Sequence, residues 1–411
     1  MRQRAVITGM GVLTPIGNDV EAFGQGLQAG RNGIAPIEGF DPQRHRCRQA
    51  GELKGFDPAA HFTEEERPNL SRGTMMVLRA AAEALADARL DLEGEDRARI
   101  GVILGSDLGG MPASEAGYRA LHHPYRRGRW DGKAPWGPLL LDSFICSVAD
   151  RVALHYGLGG TTLVMSTACS AGLHAIGVGL DAIRSGQAEV MLVGGIDPLS
   201  EMPQAGFGVL RSLAEGPIRP FDKKRDGTVL GEAAALLVLE SEEHARARGA
   251  RVRARVAGYG GSTDAYHMTR PDETGDGPAR AMRQALHDAG LRPEQIDYVK
   301  AHATATPAND VIETRAIKRV FGDRTQVPVS SVKSMIGHSL GASGAVESVA
   351  AVLALEGGFV PPTLNLENPD PECDLDYVPG TSRRKELGAV MANAFGFGGN
   401  NAAMVFARQE P

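Results

Sequence analysis

Three residues of this sequence carry side chains suited to nucleophilic attack and to stabilising charge on a carbonyl oxygen, and each stands in a turn-like run of small residues. Cys169 lies in Met165-Ser166-Thr167-Ala168-Cys169-Ser170-Ala171-Gly172. His302 lies in Lys300-Ala301-His302-Ala303-Thr304-Ala305-Thr306-Pro307, and His338 in Ser331-Val332-Lys333-Ser334-Met335-Ile336-Gly337-His338-Ser339-Leu340-Gly341-Ala342. The thiolate is the nucleophilic form of cysteine, and a helix N-terminus favours it through free N–H groups and a positive dipole end. Two neutral imidazoles can aim N–H groups at one carbonyl oxygen and stabilise the negative charge developing there. The ammonium of Lys333 could hold that electrostatic balance, or could merely cap a strand end. Taken singly, such residues are more often structural, since free cysteines are mostly buried and inert.

Their surroundings supply the placement. The apolar run 162–165 reads as a buried strand, 173–183 as a helix apolar on nearly every side, and 190–193 as the next strand, with Gly186 as the helix stop. Cys169 thus falls at a sharp strand-to-helix turn. His302 follows a strand over 298–301, and His338 precedes a helix over 342–355. All three junctions are of the kind where α/β folds gather their active sites.

The rest of the chain reads as two similar halves, 1–250 and 251–411. A strand over 4–8 leads to Gly9-Met10-Gly11, read as a loop, and then to a helix over 20–29 capped by Asn18 or Asp19. The glycine pair is a poor dinucleotide signal, because the third glycine is misplaced and no acidic residue ends a second strand. Residues 31–70 are irregular and polar. A helix over 74–88 and a strand over 99–104 return in the second half as a helix over 278–289 and the strand at 298. The helix ends match: Ala84-Leu85-Ala86-Asp87-Ala88-Arg89-Leu90 against Ala285-Leu286-His287-Asp288-Ala289-Gly290-Leu291. The strand, cysteine turn and apolar helix are echoed by 327–330, a glycine-rich turn and the helix at 342, so an internally duplicated α/β protein is expected. A strand over 233–240, a charged helix over 242–248 and a strand starting at 251 join the halves. The stretch 107–151 has no counterpart and reads as an insertion serving a dimer interface or pocket lid.

Composition narrows the function. The 42% hydrophobic and 23% charged content over 411 residues fits an ordinary soluble globular protein with a large core. A net charge of −6 argues against general nucleic-acid binding. No signal peptide, no span long enough for a bilayer and no metal-ligand spacing among Cys47, Cys146, Cys169 and Cys373 are read, so a reducing cytoplasm without a bound metal is expected.

The constellation resembles the β-ketoacyl-acyl-carrier-protein synthases, condensing enzymes of the thiolase superfamily. Thr167-Ala168-Cys169-Ser170-Ala171-Gly172 is similar to their nucleophile turn, Ala301-His302-Ala303-Thr304 to their first histidine motif, and Gly337-His338-Ser339-Leu340-Gly341-Ala342 to their second. Arg219-Pro220-Phe221-Asp222, Gly231-Glu232 and Asn393-Ala394-Phe395-Gly396-Phe397-Gly398-Gly399-Asn400 match further landmarks, in family order across nearly the whole chain. The Cys-His-His set is that of the elongating branch. Further likeness to ketosynthase subunits of type II polyketide systems lies in Ala265-Tyr266-His267-Met268-Thr269, Asp297-Tyr298, Asn309-Asp310, Glu313-Thr314 and Asp370-Pro371-Glu372-Cys373-Asp374-Leu375-Asp376-Tyr377-Val378-Pro379. Such subunits usually pair with a chain-length-factor homologue that lacks the cysteine.

The resemblance implies a five-layered αβαβα thiolase-like fold of two duplicated halves, dimeric as a homodimer or with a chain-length-factor homologue. It implies decarboxylative Claisen condensation, with substrates borne on the phosphopantetheine of an acyl carrier protein and no bound cofactor. Cys169 would hold the acyl chain, and His302 and His338 would stabilise the malonyl-derived enolate. Lys333 and Glu347 would set the histidine charges. The N–H groups of Cys169 and Phe397 would form the oxyanion hole, with Phe397 as the gate. Thr304 and Thr306 would bind the pantetheine arm, Phe395 would border the substrate, and Leu108 and Phe207 would wall the acyl pocket. Three departures stand out: Ala303 replaces a glycine, Asn400-Asn401 replaces Thr-Asn, and the usually basic docking region reads Thr63-Glu64-Glu65-Glu66-Arg67. That acidic run would repel an acidic carrier, leaving Arg211 and the Arg126-Arg127-Arg129 group as docking candidates. Fatty-acid elongation by a homodimer is the rival pathway. A non-catalytic partner subunit, a cysteine hydrolase and a degradative thiolase are the rival classes; a thiolase would need Cys373, whose Pro-Glu-Cys-Asp setting reads as a surface loop.

Overall fold

The computed structural model describes residues 3–122 and 139–409. Ten strands carry the fold: β1 (Ala5–Leu13), β2 (Ile100–Gly105), β3 (Thr162–Met165), β4 (Val190–Asp197), β5 (Ala233–Ser241), β6 (Ala254–Thr263), β7 (Tyr298–Lys300), β8 (Val329–Ser330), β9 (Ala389–Gly396) and β10 (Asn400–Ala407). Their spatial order is β8-β7-β9-β10-β6-β1-β5-β4-β2-β3. The joint between β6 and β1 is only two residue pairs long, Val6–Arg255 and Ile7–Ala254, so the array divides there into two five-stranded sheets. The sheets repeat each other. In each, the second strand pairs in parallel with the third and with its fourth-ranked neighbour, and the remaining two ladders are antiparallel.

Helices complete five layers. Helix α1 (Arg72–Ala88) covers the outer face of the first sheet and α3 (Asp276–Ala289) that of the second. Between the sheets lie α2 (Ala171–Arg184) and α4 (Ser343–Gly357), packed on each other and on both sheets. Their sequences are apolar nearly all round because both sides are buried. By length and composition Leu340–Gly357 could cross a membrane, contrary to the expectation of no such span; 83% of it is buried between the sheets.

The glycine pair near the N-terminus is not a loop. β1 runs straight through Gly9-Met10-Gly11, because both glycines lie where α1 crosses the strand at close range. A Cβ on Gly11 would sit 2.0 Å from the Ala80 carbonyl oxygen, and one on Gly9 2.2 Å from that of Ala84. The second half repeats the device: a Cβ on Gly260 would meet the Ala281 oxygen at 2.2 Å, and one on Gly258 the Ala285 oxygen at 2.3 Å. Gly11→Ala and Gly260→Ala are therefore each expected to cost about 1–3 kcal/mol or more by overpacking. Thermal melts against Gly216→Ala, whose new methyl would meet nothing within 4 Å, check this.

Other sequence expectations shift at their edges. Asp19, not Asn18, caps the first helix by accepting the Ala22 N–H at 2.7 Å. The strand expected over 327–330 shortens to Val329–Ser330. The Pro371-Glu372-Cys373-Asp374 run is a surface loop as expected, but the Cys373 side chain itself is buried, in the core cluster that holds Phe221 and Tyr377. Of the stretch 107–151, residues 123–138, which include both tryptophans, Arg126, Arg127 and Arg129, lie outside the described residues.

Candidate active site

Three chain turns bring the candidate residues together between the sheets. Cys169 sits between β3 and α2, in a bend sharp enough to hold Ala168 at φ +53°. On the other side, the backbone of Gly396 presses on this turn, where an added Cβ would lie 2.8 Å from the Thr167 oxygen. A glycine at 396 lets the Phe397 loop reach the nucleophile. His302 leaves the end of β7. Its N–H and that of Ala303 donate to the two oxygens of the buried Glu313 carboxylate at 2.8 and 2.7 Å. Ala303, one of the departures from the family pattern, has φ +33°, a region that favours glycine, so its methyl group holds a strained backbone. His338 is tied by backbone bonds to Val229 and Gly231, and its turn is bolted down by the Gly341 N–H donating to Asp197 at 2.7 Å.

The ligand atoms of Cys169, His302 and His338 all lie within 4.8 Å of one another, and all three residues are buried. His338 Nε2 is 3.0 Å from Cys169 Sγ, and the two imidazole rings meet edge to face at 5.6 Å. Lys333 Nζ approaches His302 Nδ1 at 3.3 Å, the His302 carbonyl at 2.7 Å and Glu347 Oε1 at 2.5 Å. An ammonium can only donate, so the lone pair of His302 is at Nδ1 and its neutral ring carries the proton at Nε2. His338 Nδ1 faces Ser343 Oγ at 3.0 Å. A hydroxyl accepts or donates, so this partner serves either neutral tautomer.

Burial, reinforced by Lys333, holds both histidines well below their ordinary pKa, so both are neutral at physiological pH. Burial also pushes the Cys169 thiol up, and the nearby Asp107 carboxyl adds to the effect while Lys333 opposes it. The sequence reading relied on the helix end to favour a thiolate. Desolvation outweighs that here, and the thiol proton instead has a receiver in His338 Nε2.

The cysteine and both histidines face a narrow cavity also lined by Phe207, Thr304, Thr306, Phe395 and Phe397. Thr304 and Thr306 hold hydroxyls 3.1 Å apart on one wall. Phe395 packs against the His302 ring at 5.8 Å, and Phe397 stacks on Phe207 at 5.6 Å. Leu108 lies behind this stack, in an apolar cluster with Leu230 and Leu340 against which Phe207 packs. Arg211 is not at the cavity; it lines a separate surface groove with Arg44 and Arg46. The acidic run is exposed, with the Glu64 side chain 95% accessible. Cys373 is absent from the cavity lining, so it offers no second thiol there.

Sequence reasoning gave no role to Glu313, Ser343, Lys300 or Arg270. Glu313 was visible only as part of a likeness, and Ser343 and Lys300 depend on which turns meet in space. Arg270 directly follows the Ala265–Thr269 run and lines the mouth of the cavity, exposed and with its guanidinium in no ion pair among the described residues.

Comparisons with known proteins agree with this geometry. The sequence models "Beta-ketoacyl synthase, N-terminal domain" and "Beta-ketoacyl synthase, C-terminal domain" match residues 2–245 and 253–367. A 3-oxoacyl-[acyl-carrier-protein] synthase 2 of Synechocystis sp. is 41% identical, covering 100% of this chain and 99% of its own. Among solved structures, the ishigamide ketosynthase/chain length factor aligns at TM-score 0.93 with 36% identity over all of both chains. A type II polyketide acyl-carrier protein complex with its ketosynthase (AntDE:AntF) aligns at 0.91 with 32% identity, again over all of both chains. The likeness runs from end to end, and the chain belongs to the β-ketoacyl synthase family of acyltransferases.

Proposed function

We propose that the chain condenses a Cys169-bound acyl group with malonyl-acyl-carrier protein, releasing carbon dioxide and a β-ketoacyl-carrier thioester. The observation that carries this reading is the 3.0 Å approach of His338 Nε2 to Cys169 Sγ beside a His302 ring whose Nδ1 faces Lys333. The thiol attacks the carrier thioester while its proton passes to His338 Nε2, and the departing carrier thiolate takes that proton back. The N–H groups of Cys169 and Phe397 receive the tetrahedral oxyanion. Malonyl thioester then enters past Thr304 and Thr306; with the His338 proton moved from Nδ1 to Nε2 by way of the Ser343 hydroxyl, loss of carbon dioxide leaves an enolate whose oxygen accepts from the Nε2–H groups of His302 and His338. The enolate carbon attacks the acyl thioester, and Cys169 leaves as the thiolate; it takes the Nε2 proton of His338, whose Nδ1 regains one from solvent by way of the Ser343 hydroxyl. Lys333 and Glu347 keep the His302 proton on Nε2.

For the pathway, we take the chain as the ketosynthase subunit of a type II polyketide system, cytoplasmic and paired with a chain-length-factor homologue. The likeness to the ishigamide ketosynthase/chain length factor supports it, as does an apolar face around β3: Leu163, Leu154, Leu141 and Phe144 are all exposed in the lone chain. The whole-chain identity to a 3-oxoacyl-[acyl-carrier-protein] synthase 2 favours the second reading, a homodimeric fatty-acid elongase. Reconstitution with acyl and malonyl carrier proteins separates them. β-Ketoacyl product from this chain alone supports the elongase, and product only with the partner supports the polyketide subunit.

Carrier recognition gives a further prediction. The exposed guanidinium of Arg270 at the cavity mouth is suited to the phosphodiester of an entering phosphopantetheine arm. Arg270→Ala is expected to raise KM roughly tenfold for carrier-borne substrates and leave it unchanged for N-acetylcysteamine thioesters, which lack the phosphate. Arg211 would meet the carrier's acidic surface on its separate groove.

A further inference from the structure

The chain buries a second lysine that the condensation scheme does not use. Lys300 ends β7 with no solvent exposure, two residues before His302. Its Nζ donates to the Ala301 carbonyl at 2.5 Å and lies 2.7 Å from Glu347 Oε1. That same oxygen is 2.5 Å from Lys333 Nζ. Glu347 Oε2 has no hydrogen-bond partner among the described residues, so this carboxylate meets both ammonium groups through one atom. A single negative charge therefore stands between two positive ones. The other acidic group nearby, Glu313, is occupied by the N–H groups of His302 and Ala303. Uncompensated charge is costly in a protein interior, and a fully buried lysine placed so as to dilute an existing ion pair weakens the fold's own economy. Its effect falls on the histidines.

We propose that Lys300 is a positioning residue for condensation: by sharing Glu347 it leaves the Lys333 ammonium only partly neutralised behind His302. The enolate oxygen then forms against a net positive charge, held in a low-dielectric interior where it acts strongly. This rests on the reading of Cys169, His302 and His338 as the condensing site.

The groups facing Lys300 come from several elements. They are Glu347 on α4, Lys333 at the start of the short helix Lys333–Ile336, Glu313 on the helix Asn309–Phe321, and the imidazoles of His302 and His338. The Tyr298 hydroxyl, on the same strand, is engaged by Ser330 at 2.8 Å. Burial lowers Lys300 to about 8; Glu347 and Glu313 act to raise it, and Lys333 to lower it. Glu313, raised by burial to about 7, titrates in an overlapping range, so the difference between wild type and the Lys300 variants reports on Lys300, not the wild-type profile alone. The sign follows directly. Lys300 is charged below its pKa, so its assistance is present at neutral pH and is lost as pH rises through about 8.

The test is malonyl-carrier decarboxylation by the full-length enzyme across neutral to alkaline pH, with thermal melts alongside. Lys300→Met is expected to slow it about tenfold at neutral pH, less than the ~10²–10³ of a lost direct donor, and to remove the alkaline fall that the wild type shows. Lys300→Gln, which keeps a donor for Ala301 and Glu347 without the charge, is expected to behave alike and stands in if the methionine variant does not fold. Wild-type rate and an unchanged alkaline limb in a folded variant would overturn the proposal, as would full rate in Lys300→Gln. A wild-type enzyme that neither decarboxylates malonyl carrier nor acylates Cys169 would overturn the condensing reading itself.

Discussion

Cys169→Ala abolishes condensation, with product formation expected to fall by more than about 10⁴-fold, because no other group takes over a missing nucleophile. The structure sharpens that statement. Among the described residues Cys169 is the one sulfur in the cavity lining, and the buried Cys373 lies in a separate core cluster, so the lining offers no second thiol to carry the acyl chain. The substitution should nevertheless leave half of the chemistry intact. Decarboxylation of malonyl carrier requires the two imidazoles and not the thiol, and neither His302 with Lys333 nor His338 with Ser343 depends on Cys169 for its placement. The expected result is an enzyme that releases carbon dioxide from malonyl carrier and forms no carbon–carbon bond. Assays of carbon dioxide and of β-ketoacyl carrier on the same sample check both parts. Loss of both activities in a folded variant would mean that the imidazoles do not form an independent enolate site.

His338→Ala is expected to lose about 10²–10³-fold in each half-reaction. In acylation, the thiol loses the one imidazole nitrogen at hydrogen-bond distance among the described residues, while burial and Asp107 continue to oppose its ionisation. In decarboxylation, the enolate oxygen keeps one N–H donor, from His302, where it had two. His338→Asn separates these roles. Its amide can donate to an enolate and cannot accept the thiol proton as imidazole does, so decarboxylation should recover toward wild type while acylation stays slow. Single-turnover acylation and steady-state decarboxylation measured on both variants provide the readout.

Much of this site was legible because its chemistry resides in short local runs. The small-residue turn around Cys169 and the two histidine turns can be read without knowing how the chain folds, and each sits at the strand-to-helix junction that periodicity indicates. The duplication was legible too, in the matched ends of α1 and α3. Gly9-Met10-Gly11 misled because glycine has two uses. It relieves backbone strain in loops, and it admits a neighbouring helix in a strand, as the repeated device at Gly258 and Gly260 makes plain. The surface-loop reading of the Cys373 run holds for its exposed Pro371, Glu372 and Asp374, and misses only that one thiol of such a loop can turn inward. Lys300 was out of reach for another reason: a lysine at a strand end is ordinarily solvated, and its meeting with Glu347 arises only when β7 and α4 come together.

The account stands most directly on intact-mass spectrometry of the protein mixed with an acyl-carrier thioester and then with malonyl carrier. It predicts a mass increase of one acyl group, absent in Cys169→Ala, that disappears on adding malonyl carrier as β-ketoacyl carrier forms, with the chain-length-factor homologue supplied if one is required. An unmodified Cys169 with and without that partner, or an acyl adduct released only as free acid, would contradict it.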